Sequence, residues 1–353
     1  MDKYKSPYLK GLKPYTPGEQ PKDKKYIKLN TNENPYGPAP GVIETIKNSA
    51  NESLRLYPLP ECEPLRQKIA DYNNLNIENI YVGNGSDELL AFCFMAFFRG
   101  RKPILINDIT YTFYKVYAAV YGVETKIIPL DEDFNIPYKS YNCENGGIII
   151  CNPNAPTGKE TENDKIEWIL KNNLDSVVVV DEAYVDFGGK TCTSLIKKYP
   201  NLIVVKTMSK ARSLAGLRLG YIMGQKHLIN TVAIVKNSIN SYTVDTISIK
   251  AGIAALEDND YFEKTRNSII KIRELTVESL RRIGFCVHES KANFLFASHE
   301  KVSAGDIFTK LKERGILVRY FKQKRIDNYL RISIGEGEEM HKLITALKKI
   351  LNE

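Results

Sequence analysis

The sequence is poor in the residue patterns that build metal sites and disulfide frameworks. Its 353 residues include four histidines, none in an H-E-x-x-H pattern, and six cysteines, none in a C-x-x-C pair. Scattered cysteines of this kind are typical of reduced, mostly buried thiols. The G-x-S-x-G turn of serine hydrolases is also missing. We therefore expect neither a metal site nor a serine–histidine relay.

Long apolar runs and blocks of one charge are missing as well. No run approaches the roughly 18 apolar residues that cross a bilayer. The N-terminal Met1-Asp2-Lys3-Tyr4-Lys5 has no apolar segment behind it, unlike a signal peptide. The net charge of +8 is spread over 50 basic and 42 acidic residues, which argues against a dedicated nucleic-acid segment. We expect a cytoplasmic protein that binds neither membrane nor nucleic acid.

Short apolar runs alternate with helix-length segments from residue 80 onward, at 80–82, 104–106, 148–151, 177–180 and 202–205. This alternation predicts an α/β fold with a mostly parallel sheet and helices on both faces. After about residue 250 the pattern changes to a long amphipathic helix, short strands at 293–297, 316–320 and 329–334, and a last helix. These elements predict a smaller α+β domain.

The first 40 residues carry seven prolines and few apolar runs, which is typical of an extended arm rather than an independent domain. We therefore divide the chain into an N-terminal arm (residues 1–39), a large domain (40–250) and a small C-terminal domain (251–353).

Polar groups follow several of the predicted strands at once. They are Gly83-Asn84-Gly85, Asn152-Pro153-Asn154, Asp181-Glu182-Ala183-Tyr184 and Thr207-Met208-Ser209-Lys210. In open α/β sheets ligands bind beyond the carboxyl ends of the strands, where such groups converge. Four such ends together predict a cofactor pocket.

Lys210 is a candidate for a lysine that bonds covalently to a cofactor aldehyde. Pyridoxal phosphate accepts such a lysine, and its ring then acts as an electron sink. The sink works best when the pyridine nitrogen stays protonated, which a buried carboxylate such as Asp181 would favour. Tyr184, three residues later, could bond the ring hydroxyl, and Tyr111, after the run at 104–106, could stack on the ring.

A cofactor phosphate needs donors, and the glycine-rich turn that ends at Gly85 opens a predicted helix. Such a turn offers free backbone N–H groups and the positive end of the helix dipole. Ser86, Ser209 and Arg218 could add hydroxyl and guanidinium donors. We expect the carboxylate of Asp87 to point away from the anion, so that only its backbone contributes.

These stretches resemble the fold-type I pyridoxal-phosphate aminotransferases. The resemblance rests on Asn152-Pro-Asn-Ala-Pro-Thr-Gly158, Asp181-Glu-Ala-Tyr184, and Ser209-Lys210 with Arg218. More narrowly, the whole chain is similar to the histidinol-phosphate aminotransferases, through stretches such as Leu29-Asn-Thr-Asn-Glu-Asn-Pro35, Arg55-Leu-Tyr-Pro58 and Leu330-Arg331-Ile-Ser-Ile-Gly335. The threonine-phosphate decarboxylases of cobalamin synthesis share most of these stretches, and an aromatic amino acid aminotransferase is a further alternative.

The resemblance implies a ping-pong amino transfer between glutamate and imidazole acetol phosphate, which yields histidinol phosphate and 2-oxoglutarate. Lys210 would form the Schiff base with pyridoxal 5'-phosphate and shuttle the proton at the substrate α-carbon. Asp181 would pair with the ring nitrogen and Tyr184 with the ring hydroxyl. The remaining cofactor contacts would come from Gly85, Ser86, Asp87, Tyr111, Ser209 and Arg218.

The resemblance also implies contacts beyond the cofactor ring. Tyr57 would reach the cofactor phosphate of a neighbouring subunit, so the protein would be a homodimer with shared active sites, with the arm packed on the small domain and on the partner. Arg319 and Arg331 would bind the anionic end of the substrate, with Tyr15 and Asn32 from the arm nearby. One bidentate arginine site can serve the anions of both half-reactions.

One position departs from the family pattern. The residue before Pro-Thr-Gly is usually an asparagine that bonds the ring hydroxyl, and here it is Ala155. The contact could be missing, taken over by Asn154 or water, or made by Tyr184 alone. We assign Asn154 to the cofactor site as the candidate replacement.

Overall fold

The computed structural model describes Tyr4, Ser6, Leu9, residues 11–21, Asp23 and residues 25–352. Most of the N-terminal segment that argued against a signal peptide (residues 1–3 and 5), and arm residues 7, 8, 10, 22 and 24, lie outside the described residues. Within the described residues, no helix combines the length and apolarity needed to cross a bilayer.

The strands are, in chain order, β1 (Ile27–Lys28), β2 (Ile80–Asn84), β3 (Ile104–Asn107), β4 (Thr125–Ile128), β5 (Ile148–Cys151), β6 (Val178–Asp181), β7 (Leu202–Thr207), β8 (Leu219–Gly224), β9 (Phe285–Val287), β10 (Phe294–His299), β11 (Ile316–Leu317), β12 (Arg319–Tyr320) and β13 (Leu330–Ser333). The helices are α1 (Pro40–Ser49), α2 (Glu63–Asn73), α3 (Gly85–Cys93), α4 (Phe113–Tyr121), α5 (Asn163–Lys171), α6 (Lys226–Ile239), α7 (Thr246–Glu257), α8 (Asn259–Arg282), α9 (Ala304–Glu313) and α10 (Gly337–Leu351).

In the described part of the chain, seven strands form the large sheet in the order β2-β8-β7-β6-β5-β3-β4. All pair in parallel except β8, which runs antiparallel between β2 and β7. Successive residues of its strands pack into two different apolar clusters: Val178 and Val180 into one, Val179 into the other. Because strand side chains alternate between faces, both faces of the sheet are buried. The predicted mostly parallel sheet with helices on both faces is confirmed.

A second, antiparallel sheet (β12-β13-β10-β9) lies with α8, α9 and α10 around a separate apolar cluster. The prediction of a single strand at 316–320 is wrong. It divides at Val318 into β11, which pairs in parallel with β1 of the arm, and β12, which pairs with β13. The arm is thus joined by strand pairing to the C-terminal part of the chain. The domain boundaries at residues 39/40 and 250/251 stay a prediction.

The helix predicted after Gly85 changes its winding before it ends. It is α-helical over Gly85–Cys93 and continues as a wider π turn over Phe94–Phe98. Its first turn directly follows the last residue of β2, Asn84. The sequence therefore places the N-terminus of α3 at the carboxyl edge of the large sheet.

Candidate active site

A cavity of about 180 Å³ lies where several strands of the large sheet end. Its lining includes the last residues of β5, β6 and β7, which are Cys151, Asp181 and Thr207. Twelve of the residues singled out from the sequence line it: Tyr15, Asn32, Ser86, Asp87, Tyr111, Asp181, Tyr184, Ser209, Lys210, Arg218, Arg319 and Arg331. Residues from the arm, the large sheet and the small sheet therefore meet in one place.

Lys210 lies three residues beyond the end of β7, and its side chain enters the cavity. Its Nζ donates a hydrogen bond of 3.3 Å to the carbonyl oxygen of Thr31 and lies 5.9 Å from the centre of the Tyr184 ring. Burial, and then the nearby positive charge of Arg331, lower the pKa of Lys210 to about 8. A substantial fraction of this amine is therefore neutral and nucleophilic at mildly alkaline pH.

Asp181 is buried at the end of β6, and both of its carboxylate oxygens accept hydrogen bonds. Tyr114 donates to Oδ2 over 2.7 Å, and the backbone N–H of Ala183 donates to Oδ1 over 3.2 Å. Burial raises the pKa of Asp181 to about 6, while these two hydrogen bonds act in the opposite direction. The carboxylate is thus held in one orientation and can stabilise a cation placed against it.

Tyr184 connects the large sheet with the arm. Its hydroxyl accepts a hydrogen bond of 3.1 Å from Nδ2 of Asn32, whose Oδ1 accepts one of 2.9 Å from the Ser333 hydroxyl. Burial raises the pKa of Tyr184 to about 12, so its phenol is neutral at physiological pH and can donate a hydrogen bond. Asn32 lines the cavity, and both the nitrogen and the oxygen of its amide are already hydrogen-bonded.

The anion end of the cavity is formed by Arg218 and the start of α3. The Arg218 guanidinium contacts the Ser209 hydroxyl at 3.5 Å and Asp87 Oδ2 at 3.2 Å. We expected the Asp87 carboxylate to point away from the bound anion, which stays a prediction for this carboxylate. It pairs with Arg218 and accepts a 3.0 Å hydrogen bond from Tyr111, because pairing lowers the cost of holding a half-buried charge.

Gly85 does not line the cavity itself, but it sets how closely α3 approaches Arg218. It has a φ of +81°, and a Cβ at this position would lie 2.6 Å from Nη2 of Arg218. Only glycine meets both conditions without strain.

Two tyrosines form an aromatic wall. Tyr111 and Tyr15 both line the cavity, with ring centroids 6.0 Å apart. Tyr15 also stacks on Phe113 at 4.8 Å. This packing fixes Tyr15 of the arm against α4, so the arm closes one side of the cavity.

Arg319 and Arg331 stand directly opposite each other on the paired strands β12 and β13. Arg331 donates to the carbonyl oxygen of Asn30 at 2.8 Å, and its Nε is buried without a partner among the described residues. Arg319 donates to the carbonyl oxygens of Thr16 and Pro17 in the arm. Two cations with a spare donor in one cavity form a site for a small anion.

Two predicted residues lie away from this cavity. Tyr57 is 81% exposed and stacks on Tyr242 at 4.6 Å. Asn154 is buried and donates to the carbonyl oxygen of Ile109 and to Thr157 Oγ1. Its amide nitrogen therefore supports the turn that contains Ala155, and the assignment of Asn154 to the cofactor stays a prediction.

Sequence reasoning missed several residues of the site. Tyr114, on α4, contacts Asp181. The one sequence signal for this contact is the tyrosine-rich composition of that helix. Thr31 takes part through a backbone carbonyl, which no side-chain pattern reveals. The other lining residues that were not predicted are Pro17, Gly18, Asn30, Cys151, Ala183 and Thr207.

Comparison with known proteins places the chain in a family. The model of the aminotransferases of class I and II matches residues 24–347. A histidinol-phosphate aminotransferase from Clostridium botulinum (strain Okra / Type B1) is 51% identical over 353 residues, which cover 100% of both chains.

Two solved structures agree in fold. The histidinol-phosphate aminotransferase from Clostridium acetobutylicum superposes with a TM-score of 0.85 at 27% identity, covering 92% of this chain and 99% of that one. The enzyme of the same name from Sinorhizobium meliloti, solved in complex with pyridoxal-5'-phosphate, gives a TM-score of 0.89 at 24% identity, covering 99% and 98%.

Proposed function

The chain belongs to the aminotransferases of class I and II, and from this we propose that it is a pyridoxal-phosphate-dependent enzyme of histidine biosynthesis. It transfers an amino group between glutamate and imidazole acetol phosphate, giving histidinol phosphate and 2-oxoglutarate. The observation that carries the proposal is the meeting of Lys210, Asp181 and the opposed pair Arg319 and Arg331 in one cavity. Full-length identity of 51% to a histidinol-phosphate aminotransferase supports the choice of substrate.

The described residues fit pyridoxal phosphate. When bound, this cofactor supplies an aldehyde that a lysine can bond and a ring that takes up electrons from the substrate Cα–H bond. The phosphate suits the start of α3, where Ser86 and Arg218 face the cavity and a Cβ on Gly85 would displace the guanidinium. Asp181 is the buried carboxylate that a protonated ring nitrogen requires, and Tyr111 is the aromatic side chain for the ring face.

Lys210 has two tasks in this proposal. Its amine would hold the cofactor, and as a free amine it would accept and return a proton at the substrate α-carbon. The Thr31 carbonyl, 3.3 Å from Nζ, gives the free amine a fixed hydrogen-bond acceptor. A pKa of about 8 suits a group that must both accept and return a proton.

Asp181 and Tyr184 each offer one fixed interaction in the site, Asp181 as a carboxylate and Tyr184 as a neutral phenol. The Asp181 carboxylate, held by Tyr114 and Ala183, favours a proton on the atom placed against it. The neutral Tyr184 phenol donates to an oxygen anion, and the Asn32 amide fixes its direction.

The two arginines explain how one site serves two different substrates. Glutamate and histidinol phosphate both carry an anion some distance from the reacting amine. The guanidinium groups of Arg331 and Arg319, which both line the cavity, can bind a carboxylate in one half-reaction and a phosphate in the other. Arg319 also holds the arm carbonyls of Thr16 and Pro17, so the arm covers this end.

We further propose a cytoplasmic homodimer in which Tyr57 completes the partner's cofactor site. Tyr57 stacks on the exposed Tyr242, and Leu54, Leu56 and Leu59, within three residues of it in the chain, are exposed as well. Exposed apolar side chains grouped in this way mark an interaction surface. A tyrosine exposed on such a surface can contact a neighbouring subunit.

The proposed reaction is tested with purified holoenzyme and two substrates in parallel. Histidinol phosphate with 2-oxoglutarate should yield glutamate, while threonine phosphate should release no carbon dioxide. Release of carbon dioxide without glutamate formation would instead identify a decarboxylase.

A further inference from the structure

Both anion-binding arginines lie on a single β-hairpin. Its strands are β12 and β13, and Arg319 pairs directly with Arg331 across the ladder. Like charges opposite each other in a ladder repel. Strand β13 is held on its other side by β10, whereas β12 is a two-residue edge strand of this sheet. The place of Arg319 beside Arg331 therefore depends on what holds the loop that follows β12.

The loop between the two strands is anchored at Arg325. Nη1 of Arg325 forms a 2.6 Å ion pair with Oδ2 of Asp108, and Nη2 donates to the carbonyl oxygens of Leu130 (3.0 Å) and Asp131 (2.7 Å). Gln323 adds a 3.2 Å hydrogen bond to the Asp108 carbonyl oxygen. The loop is thus bonded to the turn that follows β3, three residues before Tyr111.

The backbone is unusual on both sides of this contact. Arg325 has a φ of +75°, and Phe134, whose ring centre lies 5.7 Å from its guanidinium carbon, has a φ of +62°. Both are left-handed conformations that favour glycine, and for a bulky residue such a φ is a genuine outlier. Neither position carries glycine, and both side chains make the contacts described here.

Phe134 completes the junction from the side of the large sheet. Its ring contacts His288, Phe296 and Tyr329 edge-on, at centroid distances of 5.1, 5.7 and 5.5 Å. Tyr329, the residue before β13, stacks on Phe296 at 4.5 Å. Arg325 and Tyr329 thus fix the hairpin loop at two points.

We propose that Arg325 is a positioning residue that sets the place of Arg319 beside Arg331, and through it the affinity for the substrate anion. The inference deepens the proposed function and rests on it. Among the proposed cofactor contacts, Ser86, Asp181 and Arg218 make no hydrogen bond to the hairpin in the described part of the chain. Tyr184 is joined through Asn32 to Ser333 of β13, not to the loop that Arg325 holds. Loosening this loop should therefore weaken substrate binding and leave cofactor binding intact.

The test uses the holoenzyme with Arg325→Ala and Arg325→Gly. Misplacing Arg319 by a fraction of an ångström to about 1 Å should lower kcat/KM for both glutamate and histidinol phosphate by about tenfold to hundredfold, mainly through KM. The dissociation constant of the cofactor should change less than about twofold, since uniform loss of substrate binding leaves the cofactor contacts in place. The matched control is Arg282→Ala, which removes a guanidinium from an exposed helical ion pair with Glu278.

Comparing Arg325→Gly with Arg325→Ala separates the contribution of the side chain from that of the backbone conformation. Glycine accepts the left-handed conformation without strain, so Arg325→Gly should melt no lower than Arg325→Ala while showing the same rise in KM. A wild-type KM in Arg325→Gly would overturn the inference, because only backbone strain would then matter. A KM unchanged in both variants, or a rise equal to that of Arg282→Ala, would overturn it as well.

Asp108→Asn tests the ion pair and keeps an amide oxygen for the Leu130 N–H that now bonds Oδ1 at 2.9 Å. Adding it to Arg325→Ala should cause little further loss, since both changes remove the same contact; fully additive losses would contradict the proposal.

If the wild-type enzyme transfers no amino group, the proposed function fails. The inference is then judged by calorimetric binding of 2-oxoglutarate, which should weaken in Arg325→Ala and not in Arg282→Ala. Equal binding to both would overturn it.

Discussion

The hydroxyl of Tyr114 donates a 2.7 Å hydrogen bond to Oδ2 of Asp181, and both side chains are buried. With the Ala183 N–H on Oδ1, each carboxylate oxygen has a donor. The ionised carboxylate is thus retained in a place where burial disfavours it, and its pKa is raised to about 6. Holding such a carboxylate ionised lowers the stability of the fold, but its negative charge can stabilise a cationic ring nitrogen.

Asp181→Asn should therefore stabilise the cofactor-free protein at pH 8 while abolishing most of the activity. A folded-state pKa near 6, above the ordinary 3.8, means that the aspartate contributes full stability below about pH 4 and loses it as pH rises through 6. Two pKa units correspond to about 3 kcal/mol. Urea unfolding of the stripped wild type and variant at pH 5 and pH 8 measures the part that is lost between these two pH values, about 1.4 kcal/mol. A variant that is less stable at pH 8, or a difference independent of pH, would contradict the account.

The rate at which the stripped protein takes up pyridoxal phosphate should rise with pH and level off above about 8, because burial and Arg331 lower the pKa of Lys210 to that value. Arg331→Gln removes one of these causes and should move the midpoint to higher pH. Arg319→Gln is the control, since Arg319 is not among the largest influences on the pKa of Lys210. Absorbance of the bound cofactor follows the reaction, and an unmoved midpoint in Arg331→Gln would show that the two charges do not interact.

Gly85→Ala should lower cofactor affinity, whereas Gly100→Ala should not. Both glycines have a positive φ, of +81° and +73°, but only at Gly85 would a Cβ meet another group, Nη2 of Arg218 at 2.6 Å. Each variant should lose about 1–2 kcal/mol of stability from the left-handed backbone. Displacing the guanidinium from the anion should cost roughly 1.5–3 kcal/mol of binding free energy in addition. This raises the dissociation constant of the cofactor about tenfold to hundredfold. Equal affinities in the two variants would exclude the proposed phosphate site.

Mixing Lys210→Ala subunits with Tyr57→Ala subunits should restore activity if active sites are shared. A mixed dimer has one site with both changes and one with neither, so random exchange should give about a quarter of the wild-type sites in a symmetric dimer. Turnover is measured at limiting cofactor after unfolding and refolding the mixture. Activity no greater than that of the two variants measured separately would place Tyr57 outside the partner's site.

The arrangement of the large sheet and most of the cavity lining could be predicted because both follow from local patterns. Apolar runs such as Val178–Val180 mark buried strands, and the polar residue that ends each run must lie at the carboxyl edge of a parallel sheet. Lys210, Asp181 and Arg218 were brought together by this reasoning, and the structure places all three on one cavity.

The rest depends on contacts between distant parts of the chain. The strand predicted at 316–320 divides because β1 of the arm, almost 290 residues earlier, pairs with its first half. The local sequence also does not show that Asp87 pairs with Arg218, 131 residues later. The contact of Arg325 with Asp108 spans 217 residues, and Tyr57 acts, in our proposal, only in a second chain.

The most direct test of the account is the rate of glutamate formation from 2-oxoglutarate with histidinol phosphate and with histidinol, its unphosphorylated form. If the opposed Arg319 and Arg331 bind the substrate anion, kcat/KM for histidinol phosphate should exceed that for histidinol by about a hundredfold or more, since charge-assisted hydrogen bonds from two guanidinium groups are lost when the phosphate is missing. Lys210→Ala should abolish both reactions. Equal kcat/KM for the two substrates, or no glutamate from either, would contradict the assignment.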